Sequence, residues 1–571
     1  MNIHTFDCIV IGTGAAGYNA ACRLVQMGVN AAIVTEGVCC GTSRNTGSDK
    51  QTYYKLGLSG DSPDSVRKMA KNLFDGGCVD GDNALCEAAL SVRCFMNLCE
   101  LGVQFPTNRY GEYIGYKTDH DPYERATSAG PLTSKYMTEA LESKAKSLGV
   151  KIFDGYKAVK LLKSGERVCG LVCLKDGKPV AFRCRDIIMA TGGPAGIYAD
   201  SVYPECHMGS TGLAIEAGAK MQNLALWQYG LASVNPRWNV SGTYMQVLPR
   251  FVSIDKDGNE HDFLWDAFTD RYKGLSLVFL KGYQWPFDPQ KAENGSSLID
   301  MLVYNECVNK GRRVFLDFTK NPFEIDYSRL SDEANDYLKK ADAEFGTPIE
   351  RLEKMNAPAI QLYKSKGVDL YSEYLEIALC AQHNNGGIAV DMWWQTSVKG
   401  LFAVGECAGT HGISRPGGSA LNAGQVGSLR AAQYVSAHPS ELIDESDFND
   451  ILSDVNIQID ANSAEQIRKA QRRMSDNAAA IRDLAKIKAA LKITLAELES
   501  VIDPTVRDVL LTQGAVLTAM SEQQTDPTLV QEVALTENGF EVTTRKVRPI
   551  PGDDVFFENV WRGYRENKNI Y

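Results

Sequence analysis

Close to the start of the chain the hydrophobic pattern changes character twice in quick succession. Cys8-Ile-Val-Ile11 is a short unbroken apolar run, the pattern of a strand covered on both faces. It gives way to Gly12-Thr-Gly14-Ala15-Ala16-Gly17. A helical stretch follows, and a second apolar run, Ala31-Ala-Ile-Val34, ends in Thr35-Glu36. Strand, glycine loop, helix, strand and terminal acid together predict a nucleotide site. Gly12 allows the tight turn, Gly14 lets backbone approach a pyrophosphate, and Gly17 lets the helix pack on the strand. The helix N-terminus offers free N–H groups and the positive end of its dipole to phosphate. Glu36 is placed to accept hydrogen bonds from ribose hydroxyls.

Beyond Glu36 a polar, glycine-bearing loop (39–48) leads to helical spacing over 62–102, read as two helices, and again over 131–148. Strands are predicted at 150–153 and 158–162, and a hairpin turns at Asp176-Gly177. Residues 186–193 read as a buried strand ending in a glycine turn. From Gln228 tryptophans, prolines and Asp/Gly turns become common, and nucleotide-type motifs return only near residue 380. The expected organisation is therefore a nucleotide domain in two parts, 1–229 and 376–440, an inserted domain over 230–375, and a helical C-terminal region with a tail over 441–571. The fold class is α/β.

A chain of 571 residues exceeds one core, and 44% hydrophobic residues support several packed ones. The net charge of −11 speaks against nucleic acid or anionic membrane as partners. No apolar stretch approaches the ~20 residues of a membrane span, and no signal pattern precedes the first strand, so a cytoplasmic protein is expected. The fifteen cysteines are scattered, with no metal or cluster spacing. No metal is expected, and electrons would sit on an organic cofactor.

Further motifs extend the picture: Ala190-Thr191-Gly192-Gly193, Gly209-Ser-Thr-Gly-Leu-Ala214, Gln382-His383-Asn-Asn-Gly-Gly387, and the run from Gly405-Glu406 through His411 and Arg415 to Ser419. In this order the pieces resemble the flavoprotein subunits of succinate dehydrogenase and fumarate reductase, with L-aspartate oxidase and adenylylsulfate reductase as relatives. The resemblance runs from about residue 5 to 430. It implies FAD across a Rossmann-like domain, closed by an inserted α+β capping domain. By that resemblance Gly12, Gly14, Ala15, Ala16, Gly17 and Glu36 hold the pyrophosphate and adenosine. Ser43, Arg44, Thr46 and Gly47 lie along the flavin end, and Ala158 meets the adenine. Ala190, Thr191 and Gly192 pass close to the cofactor, and Gly405 and Glu406 bind its ribityl or ribose part. Ser419, Ala420 and Leu421 approach the ring. Some relatives attach the flavin through a histidine in the loop after the second strand. Residues 37–51 contain none, so dissociable FAD is expected.

The chain departs from the dicarboxylate-active relatives at three places. Gly230 stands where they carry a histidine, and Glu260 where a cap arginine would fall. Gln382-His383 replaces a His-Tyr pair, while Arg415 is retained. Two substrate carboxylates beside a flavin need converging positive charge, and an unpaired buried one costs several kcal/mol. Fumarate, succinate and aspartate are therefore not expected as substrates. His383 and His411 are the proton-transfer candidates, Gln382 lies beside them, Arg415 is the anchor, and Glu260 and His261 would join if the cap closes over the flavin. Arg250 is a further, lesser candidate. The reading is an FAD-dependent oxidoreductase moving hydride between flavin N5 and a carbon of a small organic acid or polar metabolite. No second glycine fingerprint marks a nicotinamide site, so an external protein is the candidate electron donor or acceptor. Two alternatives remain open: a flavoprotein component of an electron-transfer complex that reacts with an inorganic oxyanion, as in adenylylsulfate reductase, and an FAD-binding protein without turnover.

Overall fold

The strand Cys8–Ile11 occupies the centre of a five-stranded sheet in the order Leu401–Ala403, Asp186–Met189, Cys8–Ile11, Ala31–Thr35, Lys151–Asp154. All four pairings are parallel. Parallel strands need crossovers that cover both faces, which is why every residue of the three central strands is buried. The structure, a computed structural model, describes residues 1–60, 63–522, 524–552 and 555–567.

Helix Ala15–Gln26 forms the first crossover and packs against helices Thr133–Ser147 and Ser419–Ala437. The last of these is joined to the first by side chains gripping its opening turn. Gln425 Nε2 donates to the Ala15 carbonyl at 3.1 Å, Ser428 Oγ to that of Ala16 at 2.8 Å, and Asn19 Nδ2 to that of Gln425 at 3.0 Å. Residues separated by some four hundred positions thus meet on one wall. The hairpin Arg167–Lys175/Lys178–Arg183 turns through Asp176 and Gly177 with φ of 50° and 73°, the left-handed pair that a two-residue hairpin requires.

A separate antiparallel sheet of six strands runs Trp238–Asn239, Trp227–Ser233, Leu375–Asn384, Arg313–Asp317, Arg250–Ile254, Glu260–His261. Its core, including Leu231, Trp238, Tyr244, Phe251, Val314, Leu352 and Ile377, is distinct from the main one. The two long strands that enter and leave this region pair with each other from Trp227 to Asn384. The joints expected at 229/230 and 375/376 fall inside these paired strands, because pairing continues past the point where composition changes.

The C-terminal region is helical at Glu445–Ser453, Ser463–Asn477, Leu484–Ser500 and Pro504–Ser521. Leu511, Ala515, Val516, Leu517 and Met520 belong to the main core, so Pro504–Ser521 is a buried helix of the principal body. A strand absent from the sequence reading, Leu529–Thr536, pairs with Gly539–Lys546 and with Met221–Gln222. The aromatic, charged tail contains helix Phe557–Asn567. Residues 568–571 lie outside the described residues.

The glycine loop is as tight as its fingerprint implies. A Cβ on Gly17 would lie 2.1 Å from the Gly12 carbonyl oxygen, and one on Gly12, at φ +111°, 2.4 Å from that of Ala190. Backbone cannot yield as a side chain can, so Gly17→Ala is expected to destabilise by about 1–3 kcal/mol and to lower FAD retention. Urea unfolding followed by flavin fluorescence reads both, and an unchanged midpoint would refute the close-approach argument.

Candidate active site

The C-terminal ends of the parallel strands open into a cavity of about 990 Å³ that extends to the six-stranded region, at the upper end of small-molecule sites. Gly12, Gly14, Ala15, Ala16, Glu36, Ser43, Thr46, Gly47, Ala158, Ala190, Thr191, Gly192, Gly405, Glu406, Ala420 and Leu421 line it, as do Gln382, His383 and Arg415. Gly14 caps helix Ala15–Gln26 without a side-chain hydrogen bond. Ser43 Oγ accepts the Ala15 N–H at 3.2 Å. At the opposite end Thr46 Oγ1 donates to the Val202 carbonyl at 3.0 Å, and the Gly47 carbonyl accepts from Asn239 at 3.2 Å. A Cβ on Gly47 would strike the Trp238 ring at 2.7 Å. The loop after the second strand is thereby pinned to the six-stranded sheet.

Several residues expected at the site do not line this cavity. Gly17 packs beneath the loop. Arg44 turns to Glu142 and Glu139 on helix Thr133–Ser147 and fastens its loop there. Ser419 and His411 face a smaller space behind Arg415. Glu260 and His261 form the outer edge strand of the six-stranded sheet, where Arg250 binds Glu260 and Asp262, and His261 meets Asp255 at 3.0 Å. Neither edge residue nor Arg250 reaches the cavity. Glu260 holds the sequence position of the cap arginine, but the chain there runs along a sheet edge, with its charges already paired.

Burial governs the chemistry of the remaining groups. Glu406 accepts from the Tyr203 hydroxyl and, at 3.2 Å, from the Asn384 N–H. Its carboxyl is nonetheless pushed up to about 7 by burial. His383 is 8% exposed and held well below the usual imidazole range, by burial and then by the Arg415 charge. The Asn385 amide donates to the Ile413 carbonyl at 3.4 Å, which leaves its oxygen for His383 Nδ1 at 3.0 Å. A neutral His383 therefore carries its proton on Nδ1. Its Nε2 is bare, 3.7 Å from the nearest Glu406 oxygen. Arg415 donates to Gln228 Oε1 at 2.7 Å, its Nε buried without a partner, and burial lowers it to about 10. It remains charged at neutral pH.

The cavity has the form of a cofactor cradle. Thr191 Oγ1, His207 Nε2, Gln382 Oε1 and His383 Nε2 are buried on its wall without a hydrogen-bond partner among the described residues. Such groups cost about 1–3 kcal/mol each if left unpaired, and a dinucleotide in the cavity would supply partners. The sequence reading missed Tyr203, His207 and Trp285, none of which sits in a recognisable motif. Among the described residues no group of three His, Cys, Asp or Glu is placed to hold a metal ion, and no helix is long and apolar enough to cross a membrane.

The raised Glu406 carboxyl has a stability consequence. Its folded value of about 7 lies above the ordinary 4.5, so the folded state binds the proton more tightly. The contribution is complete below about pH 4.5 and is lost as pH rises through about 7. Glu406→Gln should remove that dependence, and FAD-free wild type should lose up to about 3 kcal/mol relative to the variant between pH 5 and 8. Parallel denaturation curves for the two proteins across this range would refute it.

The comparisons with known proteins agree with this geometry. Residues 7–421 match the FAD binding domain family. The chain is 27% identical over 440 residues to a polypeptide of the CoM/CoB fumarate reductase of Methanothermobacter marburgensis, covering 75% of this chain and 72% of that one. It is 24% identical to L-aspartate oxidase 2 of Ralstonia nicotianae, covering 73% and 69%. In fold it is similar to the E. coli quinol fumarate reductase flavoprotein (TM-score 0.69, 16% identity, 97% of this chain and 98% of that one). The adenylylsulfate reductase of Archaeoglobus fulgidus is also similar (0.62, 15%, 97% and 97%). With that family model matched over most of the chain, the protein belongs to the FAD binding domain family and is an FAD-dependent oxidoreductase.

Proposed function

We propose that this oxidoreductase acts on a small organic acid with a single acidic group, held by Arg415, and that its FAD is bound without a covalent link. The observation that most directly supports the substrate reading is at Gly230. A Cβ there would lie 2.9 Å from the Trp285 ring and 2.9 Å from Gln382 Nε2. The place where dicarboxylate-active relatives put a histidine is taken by an indole and an amide. Trp285 is braced by a buried ion pair, Lys281 with Asp300 at 2.7 Å. The ammonium also donates to the Gln284 and Trp285 carbonyls at 3.0 and 2.8 Å. One end of the site thus offers a charge and the other a flat apolar surface.

Gly12, Gly14, Ala15 and Ser43 would hold the pyrophosphate, Glu36 and Ala158 the adenosine, and Thr46, Gly47, Glu406, Ala420 and Leu421 the ribityl and ring. When bound, the flavin supplies a hydride acceptor or donor at N5. Arg415 would fix the substrate carboxylate through its free N–H groups. His383 Nε2, an unprotonated nitrogen beside Glu406, would take the proton released when a C–H bond is oxidised, and protonated His383 would return it in the reverse direction. Trp285 and Gln382 would exclude water from the substrate body. Among the described residues no cysteine cluster capable of holding iron occurs. Electrons would then enter or leave through a separate protein, a role consistent with the methanogen relative being one component of a larger reductase.

Titration of the flavin absorption with short enoates and hydroxy acids should show binding by monocarboxylates at concentrations where fumarate and succinate cause no change. Equal or tighter binding of the dicarboxylates would overturn the substrate reading. Arg415→Lys should retain FAD and weaken monocarboxylate binding tenfold or more, since the planar two-pronged donor is lost. Unchanged affinity would remove Arg415 from the site. Acid precipitation should release all the FAD into the supernatant; colour left in the pellet would overturn non-covalent binding.

A further inference from the structure

Behind Arg415, on the side away from the main cavity, lies a second and much smaller space of about 10 Å³. Its lining joins apolar Leu73, Val79 and Ala84 to Glu87, Thr410, His411, Arg415 and Ser419. Glu87 projects from helix Gly81–Glu100 and is 3% exposed. Around this space both His411 ring nitrogens, Arg415 Nε and Ser419 Oγ have no hydrogen-bond partner among the described residues. A leucine or methionine at position 87 would suit the apolar neighbours better. A space of one water's size, faced by several unmatched donors and acceptors, is where an internal water is held.

The carboxyl itself is pushed up to about 8 by burial, with the Thr410 hydroxyl and the Arg415 charge opposing the rise. At neutral pH it is therefore mostly protonated. Its surroundings contain few other charges. Segment 410–415 presents His411 and Arg415, helix Ser419–Ala437 presents Ser419, and helix Val66–Phe74 presents only Leu73. His411 is held neutral by burial and by Arg415, and its ring lies edge-on to His383 with centroids 5.0 Å apart. Arg415 lines both spaces. The guanidinium and the histidine pair therefore join the buried acid to the substrate end.

We propose that Glu87 is a proton store for the active site, exchanging its proton with His411 through a water held in the space behind Arg415. The step is a proton transfer with no redox change. The Glu87 O–H bond breaks, a His411 N–H bond forms by way of the water, and the carboxylate left behind is balanced by the Arg415 guanidinium. Glu87 touches neither substrate nor flavin, and acts through Arg415 and His411 as a positioning residue.

The test uses the FAD-loaded protein with dithionite as reductant, so its outcome does not depend on the substrate reading. Adding negative charge to the flavin raises the proton affinity of a coupled acid, and the wild-type midpoint potential should show an inflection near pH 8. Glu87→Gln keeps the shape of the side chain and should abolish that inflection. Glu87→Asp should restore one, displaced in pH. Infrared difference spectra of reduced minus oxidised protein should carry a protonated-carboxyl band that Glu87→Gln removes. A purely structural role would leave both the inflection and the band in Glu87→Gln, and that result overturns the proposal. If Glu87→Gln does not fold, Glu87→Leu replaces it under the same criterion.

Discussion

A half-buried guanidinium on the cavity wall, Arg415, sets the character of this active site. Burial raises the acids, Glu406 and Glu87, and lowers the imidazoles, His383 and His411. Each of these four groups is driven toward its neutral form by the same desolvation. Arginine alone keeps its charge under such treatment, because even a lowering to about 10 leaves it protonated. The result is a site whose acids and imidazoles are held near neutrality while Arg415 keeps its charge. The indole of Trp285 and the amide of Gln382 crowd the Gly230 position on the same wall.

The fold brings these groups together from widely spaced parts of the chain. The glycine loop comes from the first crossover, Glu406 and Arg415 from the segment that closes the parallel sheet, and His383 from a strand of the six-stranded sheet. Trp285 comes from within the insertion, held by a buried Lys281–Asp300 pair whose ammonium also donates to the carbonyls of the loop it supports. Such a pair is weak support for stability in itself, and its geometry explains it better as a brace.

How much of this was legible in the sequence depends on whether backbone or tertiary position decides a residue's role. Gly12, Gly14 and Gly17 could be read because only glycine satisfies their backbone, and the apolar runs around them could be read because parallel strands are covered on both faces. Gly230 was legible as a missing histidine, but not what filled the gap, since nothing in the spacing of Trp285 points across the fold. Glu87 reads in sequence as an ordinary polar position on a helix. Its meaning arises only when Thr410, His411 and Ser419 arrive from the far end of the chain. Glu260 and His261 show the reverse error, in which a motif position was carried over although the chain at that point runs along an outer edge. In the buried helix Pro504–Ser521 threonines and a glutamine soften the hydrophobic pattern, yet Gln513 and Thr512 are fully enclosed and hydrogen-bonded.

The order of strands in the parallel sheet bears on how the molecule is made. Asp186–Met189 waits for its neighbour Leu401–Ala403 until the whole intervening insertion has been synthesised. At ribosomal rates that interval is on the order of ten to forty seconds. Throughout it, the nascent chain displays an open apolar strand edge and half of a cofactor pocket, the situation in which edge-to-edge association is most dangerous. The insertion, with its own core, is able to condense meanwhile, and its strand Trp238–Asn239 already meets the loop at Gly47. The edge is closed when Leu401–Ala403 arrives, about a hundred residues before the buried helix Pro504–Ser521 is made.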